Sequence, residues 1–551
     1  MSENRRIVRA AGLVGFFTLL SRIAGLVRDA VIGYYFGTGI AADAFFVAFR
    51  IPNLLRRFVA EGAMSVAFVP VFTEYLTKRS RREAVEAASA LATVMAAVLL
   101  VLTMLGVAFA PLWTSLFAPG FSEAPDKFAL TVTLTRWVFP YIFLVSLVAL
   151  ASGILNSLRH FAAPAAAPIF LNLSIISAAV WLSPRLSTPI YGVAYGVLIG
   201  GLVQLAVQIP PLLRHGVRIV PRWQPRHEAV RRALGLMAPM VFGAAVYQVN
   251  LMISTMLASV LPSGSVSYLW YADRVFEFPL GIFAVALGTA ALPSFSAQAA
   301  RRAYAELRQS LAFSIRITNV IALPATVGMI TLAMPIVSVL FQRGAFGAPE
   351  VTPTTQALCA FAVGLWPVSM ARLVVPAFYA LGDTRTPVNA AAVAFVVNCT
   401  CCLLLMGPAA SSGDSRLADA IAALTRTLSV VDLRHAGLAL STSVAASVNL
   451  LVLFLVLRRR LGALGGDRIL ASFFRALGAS LAMVPVVRYI AGLTTWSDPG
   501  HTVVHAAVLT AAIVAGGLVF TMVALALGGD EVRALTALMR QRLGALAVRR
   551  D

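Results

Sequence analysis

Long apolar runs alternate with short polar breaks along this chain, and fourteen of the runs are long enough to cross a bilayer. Their approximate limits are 11–35, 42–72, 84–111, 128–156, 161–182, 188–212, 232–261, 268–298, 311–340, 355–381, 386–408, 435–457, 470–492 and 502–528. A helix needs about 20 mainly apolar residues to span the hydrocarbon. Backbone groups cannot stay unpaired in lipid, and these runs are far too long for barrel strands, so each is expected to be a helix. The pattern predicts an all-α polytopic membrane protein with 14 transmembrane helices. The longest polar stretches, 213–231 and 409–434, are too short to bury a core of their own. Any chemistry is therefore expected among the helices. The first run is read as a retained span, because Arg22, Arg28 and Asp29 follow it where a signal peptide would need small residues.

A weak internal repeat orders these spans. Pro70 and Pro293 lie 223 residues apart, in AFVPVF and AALPSF, and Pro164 and Pro387 share that offset. Leu116-Phe117 and Gly120 match Leu340-Phe341 and Gly344 at 224. Beyond the polar loop 409–434 the offset grows to 245, aligning Gly192-Val193-Ala194 with Gly437-Leu438-Ala439. Spans one to six therefore pair with spans seven to twelve. Six is even, so both halves enter the membrane from the same side, which makes the repeat parallel. The expected organisation is two parallel six-helix lobes plus two C-terminal helices: 1–230, 231–460 and 461–551. Paired lobes of this kind can rock around a site.

Composition agrees with the span pattern. The chain is 59% hydrophobic and 12% charged, against about 25% charged in soluble proteins. The net charge of +21 would suit a nucleic-acid binder, but its placement argues against one. Arg5, Arg6 and Arg9 precede the first span. Lys78, Arg79, Arg81 and Arg82 follow the second, and Arg458, Arg459, Arg460 and Arg468 follow the twelfth. That is the positive-inside pattern with both termini cytoplasmic. Cys359, Cys399, Cys401 and Cys402 lie in apolar spans and read as reduced packing residues. The histidines form no metal-binding pair, so no metal is expected.

The informative exceptions to the apolar pattern are charged residues inside the spans. Asp43, Arg50, Arg57 and Glu61, spaced seven, seven and four, fall on one helical stripe, with Asn53 at its edge and Arg56 away from it. Arg22 and Asp29 share a stripe in the first span, and Arg28 does not. The eighth span adds Asp273, Arg274 and Glu277, followed by Pro279. A charge at the bilayer centre costs roughly 2.5–3.5 kcal/mol on insertion scales. Internal salt bridges, such as Arg57 with Glu61 or Arg274 with Glu277, are one explanation. The excess of arginine over acid favours another. Arginine rather than lysine at these positions suits bidentate recognition of phosphate, so the set is expected to line a cationic, water-filled cavity for an anion.

The same residues carry a resemblance. Ser21-Arg22-Ile23, Gly25, Arg28-Asp29, Phe36-Gly37, Asp43-Ala44-Phe45, Phe49-Arg50-Ile51-Pro52-Asn53-Leu54-Leu55-Arg56-Arg57 and Ala60-Glu61-Gly62-Ala63 resemble the signature of the MurJ/MviN family, as do Tyr271-Ala272-Asp273-Arg274 and Glu277-Phe278-Pro279. These are lipid II flippases of the multidrug/oligosaccharidyl-lipid/polysaccharide exporter superfamily. The resemblance implies an inner-membrane transporter, not an enzyme. Such a transporter moves undecaprenyl-diphosphate-linked disaccharide-pentapeptide from the cytoplasmic to the periplasmic leaflet for peptidoglycan synthesis. It implies substrate-binding roles for Arg22, Arg28, Arg56 and Arg274. It gives Asp29, Asp43, Arg50 and Glu61 a place lining or supporting the cavity, and the charge pattern itself adds Asn53, Arg57, Asp273 and Glu277 as expected supports. No cofactor is expected, while coupling to the membrane potential or to a monovalent cation stays open, as do protein partners in cell-wall synthesis. Two alternatives stand beside this reading: an exporter of another polyprenyl-diphosphate-linked glycan or of drugs with the same fold, and a polytopic glycosyltransferase.

Overall fold

The structure, a computed structural model, describes residues 3–56, 64–410, 413–496, 502–529 and 531–533. Arg57 and Glu61 lie outside the described residues, so the structure does not address their expected places. The described chain is almost wholly helical. In order the helices are α1 (Glu3–Phe36), α2 (Ile40–Arg56), α3 (Met64–Lys78), α4 (Arg81–Ala108), α5 (Ala110–Phe117), α6 (Pro125–Val138), α7 (Tyr141–Ser157), α8 (Ala162–Ser177), α9 (Ile190–Arg214), α10 (Glu228–Ser259), α11 (Ser265–Pro279) and α12 (Val285–Ala300). They continue as α13 (Tyr304–Thr331), α14 (Ala333–Phe341), α15 (Ala348–Val363), α16 (Leu365–Ala380), α17 (Arg385–Leu405), α18 (Arg416–Leu428), α19 (Arg434–Leu461), α20 (Gly466–Ala491) and α21 (Thr502–Ala526).

Among the described residues, 11 helical segments are long and apolar enough to cross a membrane. They correspond to eleven of the fourteen expected spans. The other three expectations, 11–35, 42–72 and 232–261, fall on α1, on α2 with α3, and on α10. These stretches are helical where described but are not among the 11. The second is interrupted by residues outside the description.

The chain divides into two compact units, Met1–Ser267 with Ala409–Arg426, and Tyr268–Pro408 with Thr427–Asp551. This division follows packing, whereas the expected boundary at 230 follows the sequence repeat. The helix after that boundary, α10, packs on α3 and α4, so contact places it with the first unit.

Within the first unit, α8 packs between α1 and α9, and α2 packs on α6. Phe68, Phe72, Tyr75, Leu91, Leu99 and Ile154 anchor one core cluster. Gly120 sets a close approach. Its N–H donates to Ser259 Oγ at 3.2 Å, and a Cβ there would lie 2.3 Å from the Ser259 carbonyl oxygen. Backbone cannot yield as a flexible side chain can. Gly120→Ala should therefore destabilise the protein by about 1–3 kcal/mol, the usual range for overpacking, read as a lowered thermal midpoint of the purified chain.

Within the second unit, α17 packs on α19, α13 packs on α20, and α20 packs on α21. The segment Ser265–Ala300 is one long span, with a π-helical turn at Leu280–Ala284 directly after Pro279. Proline removes a donor from the helical ladder, and a π turn absorbs the resulting misfit. All four cysteines are free and lie in the second unit. The expected polar loop 409–434 contains α18, whose Ala418, Ile421, Ala422 and Thr425 form a buried face and fall in the first unit.

Candidate functional site

In the first unit, Arg28, Asp43 and Arg50 of α1 and α2 each bond to a neighbour far along the chain. Arg28 is 7% exposed and Asp29 is fully buried. Arg28 Nη2 donates to Asp29 Oδ1 at 2.7 Å and Nε donates to the same oxygen at 3.0 Å, while Nη1 donates to Asn172 Oδ1 at 3.1 Å. Asn172 in turn donates to the Ser21 carbonyl at 3.2 Å, tying α8 to α1. The guanidinium also lies 5.9 Å from the centre of the Phe49 ring. Stripe geometry expected Arg28 to point away from Asp29. The arginine stem is long enough to fold across the helix surface and close the pair.

Asp43 is the most heavily bound of the set. Its carboxylate, 1% exposed, accepts from Lys127 Nζ at 2.7 Å, Gly264 N at 2.8 Å, Ser267 N at 2.9 Å and Ser267 Oγ at 2.6 Å. Lys127 also reaches Ser263 Oγ at 3.2 Å and sits 4.1 Å from the Phe121 ring centre. Sequence reasoning missed Lys127. Its signal was available: a lone lysine opening an apolar span, with an acid opening another. Buried charges are rarely left unpaired. The bond network makes Asp43 a fixed structural junction joining α2, α6 and the turn before α11.

Arg50, half-buried, donates to Thr255 Oγ1 at 2.6 Å. Arg56 donates from Nε to Asn53 Oδ1 at 2.7 Å, a contact one helical turn apart, and both are half-buried. Arg22 is also half-buried.

In the second unit, Arg274 and Glu277 form the pair that their spacing anticipated, at 3.3 Å, with side chains 30% and 33% exposed. The guanidinium lies 5.4 Å from the centre of the Trp270 ring. The carboxylate and indole hold a cation in place while leaving much of it open to solvent or ligand. Asp273, beside it, is half-buried. All three precede Pro279 and the π turn on the same continuous helix.

A family model described as Lipid II flippase MurJ matches residues 32–509. The chain belongs to the MurJ family. Among MurJ relatives, a Lipid II flippase MurJ of Burkholderia cenocepacia is 37% identical over 495 residues, covering 89% of this chain and 91% of that protein. A probable lipid II flippase MurJ of Rhizobium tropici is 38% identical over 416 residues, covering 74% of this chain and 77% of the relative. A solved MurJ structure in an inward closed conformation superposes with a TM-score of 0.73 at 26% identity, covering 95% of this chain and 99% of that one. An inward-facing multidrug transporter of the MATE family shares the fold, with a TM-score of 0.58 at 17% identity over 82% of this chain and 95% of the other.

Proposed function

We propose that this multi-pass membrane protein flips lipid II from the cytoplasmic to the periplasmic leaflet of the inner membrane by alternating access. It acts as a transporter, with both termini on the cytoplasmic side. A relative that carries the name lipid II flippase, matched over 91% of its length, is the observation that carries this reading. The intramembrane arginines supply its chemistry. Lipid II presents a diphosphate between a polar sugar-peptide head and an isoprenoid tail. The head cannot cross hydrocarbon, and the tail need not leave it. In this reading Arg22, Arg28, Arg56 and Arg274 line a central cavity and bind the diphosphate through paired N–H donors.

Arg274 is the member best prepared for ligand. It is partly exposed, and Glu277 and Trp270 fix its direction. The interrupted helical ladder after Pro279 gives its helix a place to bend, so Arg274 can change position as the protein changes state. Arg28 is sequestered by Asp29 and Asn172, and engages diphosphate only when that pair opens. Each charge that crosses the membrane potential adds roughly 2.3 kcal/mol per 100 mV, which favours return of an empty cationic carrier towards a negative cytoplasm.

The test is lipid II translocation in cells depleted of their own flippase. Arg274→Ala should lower translocation by about tenfold to a hundredfold, the effect of one lost charge-assisted bond at about 1.5–3 kcal/mol. Membrane abundance should be unchanged. Translocation at the unsubstituted rate would remove Arg274 from the substrate site.

A further inference from the structure

The second unit holds another cationic feature, built from residues outside the set above. A cavity of about 590 Å³ is lined by Arg308, Gln309 and Arg316 of α13 and by Leu464, Gly465 and Arg468 at the start of α20. Arg308 and Arg316 are eight residues apart and share a helix face with Ala305 and Ala312, whose small side chains leave the volume open. Gly462 and Gly465 both take positive φ, +78° and +72°, and this turn carries the chain from α19 into α20. Arg308 Nη1 donates to the Leu461 carbonyl at 3.3 Å, which fixes the arginine at the cavity wall.

Arg316 Nη1 lies 3.0 Å from Glu531 Oε1, an acid 5% exposed. Its Nε is buried and finds no acceptor among the described residues. Among the described residues, three arginines thus face one lining volume with one carboxylate bound to them, and Asp467 beside Arg468 is exposed and outside the lining. The 26-residue helix α20 adds its first N–H groups, which no side chain caps. Snorkelling alone would send each guanidinium towards bulk water. Here one is tied to a helix-end carbonyl and another is partly buried.

We propose that this cavity is a binding site for a phosphoryl anion, of the kind carried by an anionic phospholipid headgroup or free in the cytoplasm. Planar guanidinium groups and uncapped N–H groups are the donors that phosphate oxygens accept from. The volume exceeds that of a bare phosphate and accommodates a headgroup. Phe313, Leu470 and Phe474 expose apolar surface on the same two helices, at 46%, 56% and 64%, as acyl chains require. The site lies at the end of the spans where Arg458, Arg459 and Arg460 cluster, the end that charge placement assigns to the cytoplasm. It does not depend on what the protein transports.

The experiment is native mass spectrometry of the full chain in detergent, titrated with palmitoyl-oleoyl phosphatidylglycerol or the matched phosphatidylcholine, with and without inorganic phosphate. Phosphatidylglycerol should bind more tightly than phosphatidylcholine. An Arg308→Gln/Arg468→Gln variant should lose about tenfold in that affinity, as expected for two solvent-screened charge contacts. Arg468→Gln alone, at an exposed position that leaves the fold intact, should lose severalfold. Arg301→Gln, which removes an exposed arginine 3.9 Å from Glu306 on the same end, should change nothing. Competition by inorganic phosphate assigns the site to soluble phosphoryl anions, and lack of competition assigns it to the headgroup. Either result supports the site. Unchanged phosphatidylglycerol affinity in Arg468→Gln, or an equal loss in Arg301→Gln, overturns it.

Discussion

Asp43→Ala should be among the most destabilising single changes in the chain, at about 3–5 kcal/mol, the usual cost of stranding a buried charge. The substitution removes acceptors from the Gly264 and Ser267 N–H groups and from the Ser267 hydroxyl at once. It also leaves the Lys127 ammonium, 7% exposed, without its counter-ion. Thermal unfolding of the purified protein measures the loss. Lys127→Met should cost less than Asp43→Ala, because the Asp43 carboxylate keeps its three other donors. An Asp43→Leu/Lys127→Met double variant should recover part of the loss, since no buried charge remains, though the backbone N–H groups stay unsatisfied. A double variant less stable than the sum of the single changes would show that Asp43 and Lys127 do not act as a pair.

Arg28→Ala should abolish lipid II translocation and also destabilise the protein, and the two effects can be separated. Alone, it leaves the fully buried Asp29 carboxylate without the guanidinium that satisfies it, again a loss of about 3–5 kcal/mol. Arg28→Ala/Asp29→Ala removes both charges and should restore the thermal midpoint towards that of the unsubstituted chain. If Arg28 grips diphosphate, translocation in the double variant stays at background. Recovery of translocation together with stability would make Arg28 a packing element and leave substrate binding to the other arginines.

The helices were legible in the sequence because lipid imposes one solution on any long apolar run. Eleven of them stand on composition alone. The stretches that carry Arg22, Arg28, Asp29, Asp43 and Arg50 are not among those eleven, and residues outside the description interrupt the second of them. Local pairs were legible too: Arg274 and Glu277 are one helical turn apart, and helical periodicity brings them together. Pairing at long range was not. Nothing in the spacing connects Asp43 with Lys127, 84 residues on, or Arg28 with Asn172, 144 residues on. Those contacts depend on how helices pack, which periodicity does not encode. The helix α18 was hidden for another reason. It is strongly amphipathic, with Ala418, Ile421, Ala422 and Thr425 on one buried face, but at 13 residues it is too short to span a bilayer, and a reading built on spans passes over it.

The cysteine distribution has a practical consequence. With Cys359, Cys399, Cys401 and Cys402 all in one unit, the other offers a thiol-free background. A single cysteine introduced beside Arg22 or Arg56 could be tagged with a fluorophore or spin label once the four native thiols are changed to serine or alanine. Those four replacements fall outside the α1–α2 region, so local rearrangement around its arginines can be followed spectroscopically without editing the surroundings of the probe.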